Sequence, residues 1–188
     1  MLARAFDDSP IFRHLIPGPR PRGSILRSFF RAAIRDASPF GDVLVARDRG
    51  RIVGAAVWLA PGRYPPSSLR QLRQLTGTFK FGFLAPRSIA PSLRYLRANE
   101  KVHPKELHWY LGILGVEPSH QGRGIGEGLL RARLEPADAD GISAYLETDK
   151  ERNLAYYRRF GFELVETLAP DGPEAPPVWT MWREPATS

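Results

Sequence analysis

The 188-residue sequence contains no cysteine. This absence excludes disulfides, thiolate metal ligands, iron–sulfur clusters and cysteine nucleophiles, and it argues against a secreted disulfide-stabilised scaffold. Long apolar runs are also missing, since none approaches the ~20 residues that a membrane-spanning helix needs. Arg, Asp and Pro interrupt the beginning of the chain, so it shows no apolar segment of a signal peptide. We therefore expect a cytoplasmic protein with no membrane partner.

Lysine is scarce too, with 4 residues against 23 arginines among the 27 basic residues. The net charge of +7 is uneven: residues 1–105 carry +13, whereas residues 106–188 carry −6. A basic first part is able to attract a polyanion or an acidic partner. A bias of the genome towards arginine gives the same composition, and we favour a solvated Arg-rich surface. We do not expect nucleic acid as a partner, and a homodimer is left open.

The hydrophobic content of 43% and the chain length predict one globular domain over residues 1–188. A helix interrupted by Pro10 is expected over residues 2–16, followed by a Pro/Gly-rich breaker. A second helix is expected over residues 24–37, with Ser24 as its cap. Two strands, 42–47 and 51–59, flank the hairpin turn Asp48-Arg49-Gly50.

Residues 61–105 form a predicted helical insertion, in which Leu69, Leu72 and Leu75 repeat at helical spacing and residues 89–96 give another helical stretch. Such an insertion either caps a site or covers a sheet edge. Residues 107–116 are apolar on both faces, which predicts a central strand. A helix is predicted over 127–134, ended by Pro136, and a strand over 142–146. A Thr148/Glu151 capping box is expected to open the next helix, which Gly161 stops. Strands are predicted over 162–168 and 178–182, and a disordered tail over 184–188.

The most informative segment is the loop between the strand at 107–116 and the next helix. Its glycines, Gly122, Gly124 and Gly126, permit left-handed backbone angles that direct consecutive N–H groups at one anion. The start of the following helix adds further unpaired N–H donors, so the loop predicts a phosphate cradle. A dinucleotide fingerprint fails because its third small residue falls on Glu127 or Leu129, and no lysine completes a P-loop.

The loop Gln121-Gly-Arg-Gly-Ile-Gly126 resembles the pyrophosphate-binding motif of the GNAT superfamily of N-acetyltransferases. Residues 153–162, with Asn153 and Tyr157 ahead of Gly161, resemble the second signature of that family. The resemblance implies a mixed α/β (α+β) fold: a mostly antiparallel twisted sheet flanked by helices, with splayed central strands. The helical insertion between the third and fourth family strands is similar to the puromycin-acetyltransferase-like branch. The family normally opens with a strand, whereas this chain begins at or inside the first helix, so either its start is placed late or that strand is absent.

The resemblance further implies that acetyl-CoA is the cofactor, and it assigns residues to it. The implied cofactor-binding set is Leu114, Gly115, Val116, Gln121, Gly122, Arg123, Gly124, Ile125, Gly126, Asn153 and Tyr157. Backbone groups of Leu114 and Val116 would bind the pantetheine amides, with irregular strand pairing at Gly112 and Gly115. Tyr157 would protonate the departing thiolate, and its neighbour Tyr156 competes for that role.

The general base is left open among His108, Glu106, Glu147 and a water chain, and His108, Tyr110 and Glu147 are candidate substrate-site residues. Trp109, Tyr110 and Trp58 compete for the acceptor pocket, with core packing expected for at least two of them. The four histidines lack ligand spacing, so we expect no metal. The predicted function is acetyl transfer to the primary amine of a small molecule. The alternatives are a protein or peptide acetyltransferase and a non-catalytic CoA-binding module.

Overall fold

The computed structural model describes residues 1–66 and 85–186, which form helices packed on a six-stranded sheet. In chain order the elements are α1 (Leu2–Ala5), α2 (Pro10–Leu15), α3 (Pro19–Ala37), β1 (Gly41–Asp48), β2 (Arg51–Leu59), α4 (Ile89–Val102), β3 (His108–Val116), α5 (Ile125–Ala139), β4 (Ser143–Thr148), α6 (Arg152–Arg158), β5 (Glu163–Leu168) and β6 (Val178–Arg183). Two 3₁₀ turns, Pro86–Ser88 and Pro118–His120, precede α4 and α5.

The sheet order is β1-β2-β3-β4-β6-β5, and β3 with β4 is its one parallel pair among the described strands. This confirms the predicted fold class and the central place of β3. The register of β3 and β4 runs from His108 opposite Ser143 to Leu111 opposite Leu146, although β3 continues to Val116. The two strands therefore separate beyond Leu111, which is the splay that the resemblance implied.

Strand β2 explains why helices cover both faces of the sheet. Its side chains alternate between two apolar clusters, as the period of a strand requires. Ala55, Val57 and Leu59 pack with Leu26 and Phe30 of α3 on one face. Ala56 and Trp58 pack on the opposite face, where the cluster includes Leu129, Leu130 and Leu134 of α5. Strand β2 is apolar at consecutive positions because it lies in the middle of three layers, with α3 on one face of the sheet and α5 on the other.

The β1–β2 hairpin is confirmed at the predicted position. Arg49 has a φ of 46° and Gly50 a φ of 78°, so both central residues are left-handed, as in a type I′ turn. Gly50 occupies this conformation without the steric cost that a Cβ would add. The turn leaves Asp48 opposite Arg51 and fixes the register of the two strands.

Helix α3 begins five residues earlier than predicted, at Pro19 with Gly18 as its N-cap, so the predicted Ser24 cap is wrong. The Pro-rich segment does not break this helix because its prolines fall in the first turn. There a backbone N–H has no intrahelical acceptor, so a missing N–H removes no helical hydrogen bond. Pro10 likewise opens α2 at its first position, with Ser9 accepting from the N–H of Phe12.

Two other predicted helix boundaries are wrong. Helix α5 runs through Pro136 to Ala139, so this proline does not end the helix. The Thr148/Glu151 capping box does not form. Thr148 instead ends β4, and its hydroxyl oxygen accepts a hydrogen bond from Nδ2 of Asn153 at 2.8 Å. Gly161, with a φ of 84°, ends the turn after α6 as predicted.

The described part of the predicted insertion contains a 3₁₀ turn and α4, which extends to Val102 instead of residue 96. The repeat of Leu69, Leu72 and Leu75 lies outside the described residues. The described part of the predicted tail is bonded: the backbone N–H of Ala186 donates to Asp138, and Glu184 accepts from Ser143. None of the helices within residues 1–66 and 85–186 is long and apolar enough to cross a membrane.

Candidate active site

A cleft of about 950 Å³ opens where β3 and β4 separate. One end reaches the glycine loop before α5, and the other end lies between α3, α4 and the segment after β2. The N-terminal helices close one wall: Ser9 of the α1–α2 corner donates to Asp149 after β4, and the N–H of Ile11 donates to the same carboxylate at 3.0 Å. The cleft is thus built by elements far apart in sequence.

The backbone of β3 is irregular at the cleft. Val57 of β2 pairs with Ile113, whereas the next residue, Trp58, pairs with Leu111, which leaves Gly112 as an extra residue in a β-bulge. Gly115 pairs regularly with Ala55, so the predicted irregularity does not occur there. A Cβ on Gly115 would lie 2.6 Å from Leu2, so this glycine allows α1 to pack closely on β3.

The predicted anion loop has two left-handed glycines, Gly122 with a φ of 75° and Gly124 with a φ of 74°. Nothing lies within 4 Å of a Cβ built on either of them, so the loop is open to a ligand. Gly124 is the N-cap of α5 and offers no side-chain acceptor to that helix. Within the described chain, the N–H groups of Gly122, Arg123 and Gly124 donate to no backbone or side-chain acceptor. These unpaired donors fit a diphosphate.

The third glycine of the loop has a different role from the predicted one. Gly126 lies in the first turn of α5 with helical backbone angles, and a Cβ there would lie 2.9 Å from the Tyr156 hydroxyl. Its missing side chain therefore makes room for Tyr156. Gln121 donates from Nε2 to the carbonyl oxygen of Val116 at 3.2 Å, which links the loop to the end of β3. Arg123 is exposed and does not line the cleft.

Helix α6 presents Asn153 and Tyr157 to the cleft one turn apart. Asn153 donates to Thr148, which orients its amide along the wall of β4. Tyr157 is 7% exposed, and its ring packs against Phe162 and Tyr156. Burial raises the pKa of the Tyr157 phenol, so the hydroxyl stays protonated. That hydroxyl makes no hydrogen bond to any described residue, which leaves it free to donate to a ligand.

Glu147 is one of the carboxylates that line the cleft, and its side chain is 12% exposed. It accepts hydrogen bonds from the hydroxyl of Tyr110 at 2.9 Å, the hydroxyl of Tyr145 at 3.2 Å and Nδ2 of Asn99 at 3.3 Å. Burial and the charge of Glu147 raise the pKa values of Tyr110 and Tyr145, so both phenols act as neutral donors. No Arg or Lys among the described residues forms an ion pair with Glu147.

His108 is placed differently from the other candidate bases. It is 6% exposed and lies outside the cleft, where its Nδ1 bonds the carbonyl oxygen of Glu106 at 2.6 Å. Burial lowers the pKa of its imidazole. Its Nε2 lies 3.1 Å from Nε2 of His103, a residue at the end of α4 that sequence reasoning did not select. His103 in turn approaches Glu147, so it belongs to the surroundings of the site.

The end of the cleft away from the glycine loop is mainly apolar and aromatic. It is lined by Phe12, Phe29, Phe30, Ala33, Leu59, Tyr64, Leu96 and Tyr110. The sequence predicts Tyr110, Trp58 and Trp109 as candidates for this pocket, and Tyr110 lines it. Trp58 is fully buried in the core, and the guanidinium of Arg133 lies 4.1 Å from the ring centroid of Trp109. Within residues 1–66 and 85–186, no group of three His, Asp or Glu side chains converges as metal ligands would.

The cleft combines splayed strands, unpaired loop N–H groups and the Glu147 carboxylate, an arrangement that fits an enzyme of the acyl-transferring class. The profile of the acetyltransferase (GNAT) family matches residues 11–162, and the chain belongs to this family. It is accordingly an acetyl-CoA-dependent acyltransferase.

Three proteins illustrate the relationship. A crystal structure described as histone acetyltransferase HPA2 and related acetyltransferase, from Corynebacterium glutamicum, is 30% identical with a TM-score of 0.71, and the match covers 100% of this chain and 88% of that one. The N-alpha-acetyltransferase RimI of Mycobacterium tuberculosis is 28% identical over 59% of this chain and 68% of its own length. The mycothiol acetyltransferase of Saccharomonospora viridis is 36% identical over 36% of this chain, and the match spans 25% of that protein.

Proposed function

We propose that this protein transfers the acetyl group of acetyl-CoA to the primary amine of a small molecule with an apolar body, by direct attack in a ternary complex. The observation that carries the proposal is the continuity of the cleft, which runs from the glycine loop past Tyr157 to Glu147 and the aromatic wall. Both substrates fit in one space, so no covalent enzyme intermediate is needed. The names of the relatives mention histone, N-alpha and mycothiol acetylation, and they do not select one acceptor.

The glycine loop and the splay of β3 from β4 indicate which part of the cleft would bind the cofactor. The N–H groups of the loop from Gln121 to Gly126, with Arg123 and Ile125 among them, would hold the diphosphate. Backbone groups of Leu114, Gly115 and Val116, which β4 does not pair, would hold the pantetheine, with the Asn153 amide on the opposite wall. Acetyl-CoA supplies an activated thioester carbonyl when bound. An N–H near Leu114 would stabilise the charge that develops on the carbonyl oxygen.

The acceptor end accounts for the chemical class of the amine. The aromatic wall, of which Phe29 is 40% exposed and Phe30 buried, would bind an apolar body, and Glu147 would receive its ammonium group. Glu147 then removes the proton that would otherwise block the nitrogen lone pair. Tyr110 lines this end and orients Glu147 through its hydroxyl, whereas His108 lies behind it. Tyr157 lies on the cofactor side and would protonate the leaving sulfur.

A comparison of amines tests the acceptor assignment. Release of free thiol from acetyl-CoA is measured with 2-phenylethylamine, with the matched alcohol 2-phenylethanol and with a peptide that has a free N-terminus. We expect the amine to be acetylated and the alcohol to be inert, because only the ammonium group pairs with Glu147. Acetylation of the peptide alone would assign a protein substrate. Binding of CoA without any turnover would assign a non-catalytic module.

Substitution of Gly124 tests the cofactor loop. In Gly124→Ala the left-handed φ of 74° costs about 1–2 kcal/mol, so the loop relaxes and its N–H groups diverge. We expect the Kd for CoA to rise about tenfold, which corresponds to ~1.4 kcal/mol. Calorimetric titration measures it. The matched control is Gly128→Ala, where the added methyl meets nothing within 4 Å in the helix and CoA affinity is expected to stay unchanged. Equal affinities for both variants would contradict the loop assignment.

We also predict a single domain over residues 1–188 with its insertion at 61–105, a cytoplasmic location and membership of the puromycin-acetyltransferase-like branch. A homodimer is likewise left to measurement by analytical ultracentrifugation.

A further inference from the structure

Two buried histidines meet edge to edge behind the acceptor site. His103 closes α4 and His108 opens β3, and their Nε2 atoms lie 3.1 Å apart. The second nitrogen of His108, Nδ1, lies 2.6 Å from the carbonyl oxygen of Glu106. Their exposed fractions are 8% and 6%, so neither ring exchanges hydrogen bonds freely with solvent. This contact fixes which nitrogens carry protons.

The proton positions follow from the partner at each nitrogen. A carbonyl oxygen only accepts, so Nδ1 of His108 carries a proton. Burial lowers the pKa of His108, which favours its neutral form and leaves a lone pair on Nε2. That lone pair accepts from Nε2–H of His103. The contact with His108 therefore holds His103 in the tautomer whose Nδ1 carries a lone pair when the ring is neutral.

This Nδ1 of His103 is the unexplained atom. Its side chain is 3% exposed, and the nitrogen has no hydrogen-bond partner within the part of the chain that the structure describes. It lies 3.9 Å from Oε1 of Glu147. A buried polar atom left without a partner destabilises the fold, so such an atom in an active site calls for a role. A basic nitrogen facing a carboxylate is suited to take a proton from it.

Among the described residues, the groups in contact with His103 include one carboxylate, that of Glu147. From β3 it meets His108 and Tyr110, from β4 Tyr145 and Glu147, and from the segment after β2 Tyr64, whose ring centroid lies 4.3 Å away. Burial raises the pKa of Tyr64, Tyr110 and Tyr145, so these phenols are neutral donors. Glu100, on α4 itself, raises the pKa of Tyr64 by its charge. Glu147 is therefore the anionic group that faces His103 directly.

We propose that His103, held in one tautomer by His108, receives the proton that Glu147 removes from the acceptor amine. This inference deepens the proposed function and rests on it. The N–H bond of the ammonium breaks, its electron pair stays on nitrogen, and the proton passes through a carboxylate oxygen of Glu147 to Nδ1 of His103. His103 becomes an imidazolium that donates to both Glu147 and His108. The gap of 3.9 Å closes in the substrate complex, where catalytic hydrogen bonds commonly tighten. His103 acts through Glu147 and is a positioning and proton-holding residue.

One test needs neither cofactor nor acceptor. Protein with ¹⁵N-labelled histidine is titrated by NMR, and the four histidines are assigned by single substitutions. We expect Glu147→Gln to move the titration of His103 to lower pH, because the imidazolium loses its neighbouring negative charge. His14 and His120, which lie elsewhere, serve as internal controls and keep their titrations. An unmoved His103 would overturn the proposal, whatever the enzyme acetylates.

A second test uses His103→Gln. The glutamine Nε2 replaces the ring donor to His108, and no basic nitrogen faces Glu147. We expect kcat to fall about tenfold and its acid limb to move to lower pH, because a carboxyl group alone titrates below an imidazole. A purely structural residue would lower kcat equally at every pH, and that parallel profile would overturn the proposal. If the wild-type protein transfers no acetyl group, the proposed function fails and the NMR titration alone decides the proton coupling.

Discussion

The variant Tyr157→Phe is expected to lose at least about 10²-fold in kcat while its Kd for acetyl-CoA stays within a few-fold of wild type. Positioned general acids contribute roughly 10²–10⁴-fold, and 10²-fold corresponds to about 2.7 kcal/mol in the barrier. The ring packs against Phe162 and Tyr156, and phenylalanine preserves these contacts. Only the hydroxyl, which has no partner among the described residues, is removed. Stopped-flow thiol release and calorimetry measure the two quantities separately.

The raised pKa of Tyr157 has to agree with its proposed role as an acid. Burial makes its phenolate unfavourable, which holds the proton in place before reaction. The same burial raises the proton affinity of a thiolate that departs in this cleft, since desolvation disfavours every anion. Because burial raises the pKa of both groups, the raised pKa of Tyr157 does not by itself make proton transfer to the thiolate more uphill than in water. The phenolate formed is neutralised when the nitrogen of the new amide loses its surplus proton.

Tyr156→Phe is the matched control for this experiment. Tyr156 is next in sequence, lines the same cleft and has its hydroxyl against Gly126. Burial also raises its pKa. We expect this variant to keep kcat and to change KM for acetyl-CoA at most a few-fold, because its hydroxyl lies at the diphosphate loop. A wild-type kcat in Tyr157→Phe, or a large loss in Tyr156→Phe, would transfer the role of acid away from Tyr157.

The parts of the site that the sequence predicts are those made within one local segment. The loop from Gln121 to Gly126 depends on its glycines and on the helix that follows, and both are visible in the sequence. The same is true of Asn153 and Tyr157, which one turn of α6 places on one face. Strand β3 is recognisable because both of its faces are apolar. Such features need only neighbours within a few residues.

The acceptor side is different because it is assembled from distant segments. Asn99 and His103 reach Glu147 from α4, 48 and 44 positions earlier in the chain, and no local pattern reports that approach. His108 and Tyr110 lie on the same face of β3, since they are two residues apart. The sequence therefore selects both, but only the position of the splay places Tyr110 in the cleft and His108 behind it. Where a residue of β3 lies relative to the splay depends on which residues of β3 and β4 pair, and the sequence alone does not give that register.

Helix boundaries failed for a related reason. Residue type predicts a break at both Pro19 and Pro136, but Pro19 lies in the first turn, where no helical bond is lost, and α5 continues past Pro136. Thr148 has the spacing of a capping residue, but the end of β4 claims its backbone and Asn153 claims its hydroxyl. In each case the sequence is compatible with two helix boundaries, and the contacts of the folded chain determine which one forms.

The variant Glu147→Gln is expected to lower kcat/KM for the amine by about 10²-fold or more, with the Kd for acetyl-CoA unchanged. The amide keeps the size of the side chain and one acceptor for Tyr110, Tyr145 and Asn99, so the wall of the cleft is retained. It removes the charge proposed to bind the ammonium group and the base proposed to deprotonate it. Initial rates over a range of amine concentrations give kcat/KM. Glu163→Gln, on the exposed edge strand β5, is the matched control and is expected to behave as wild type.

The basicity of the acceptor separates a base from a structural carboxylate. An amine that is already neutral at pH 7 does not need Glu147 to remove a proton, so the loss in Glu147→Gln should shrink with weakly basic acceptors of the same shape. A structural defect would reduce the rates of strongly and weakly basic amines by the same factor. Tyr110→Phe, which deletes a hydrogen bond to Glu147 and leaves the carboxylate in place, should give a smaller loss than Glu147→Gln. An equal loss for both classes of amine would show that Glu147 shapes the pocket and that deprotonation occurs elsewhere.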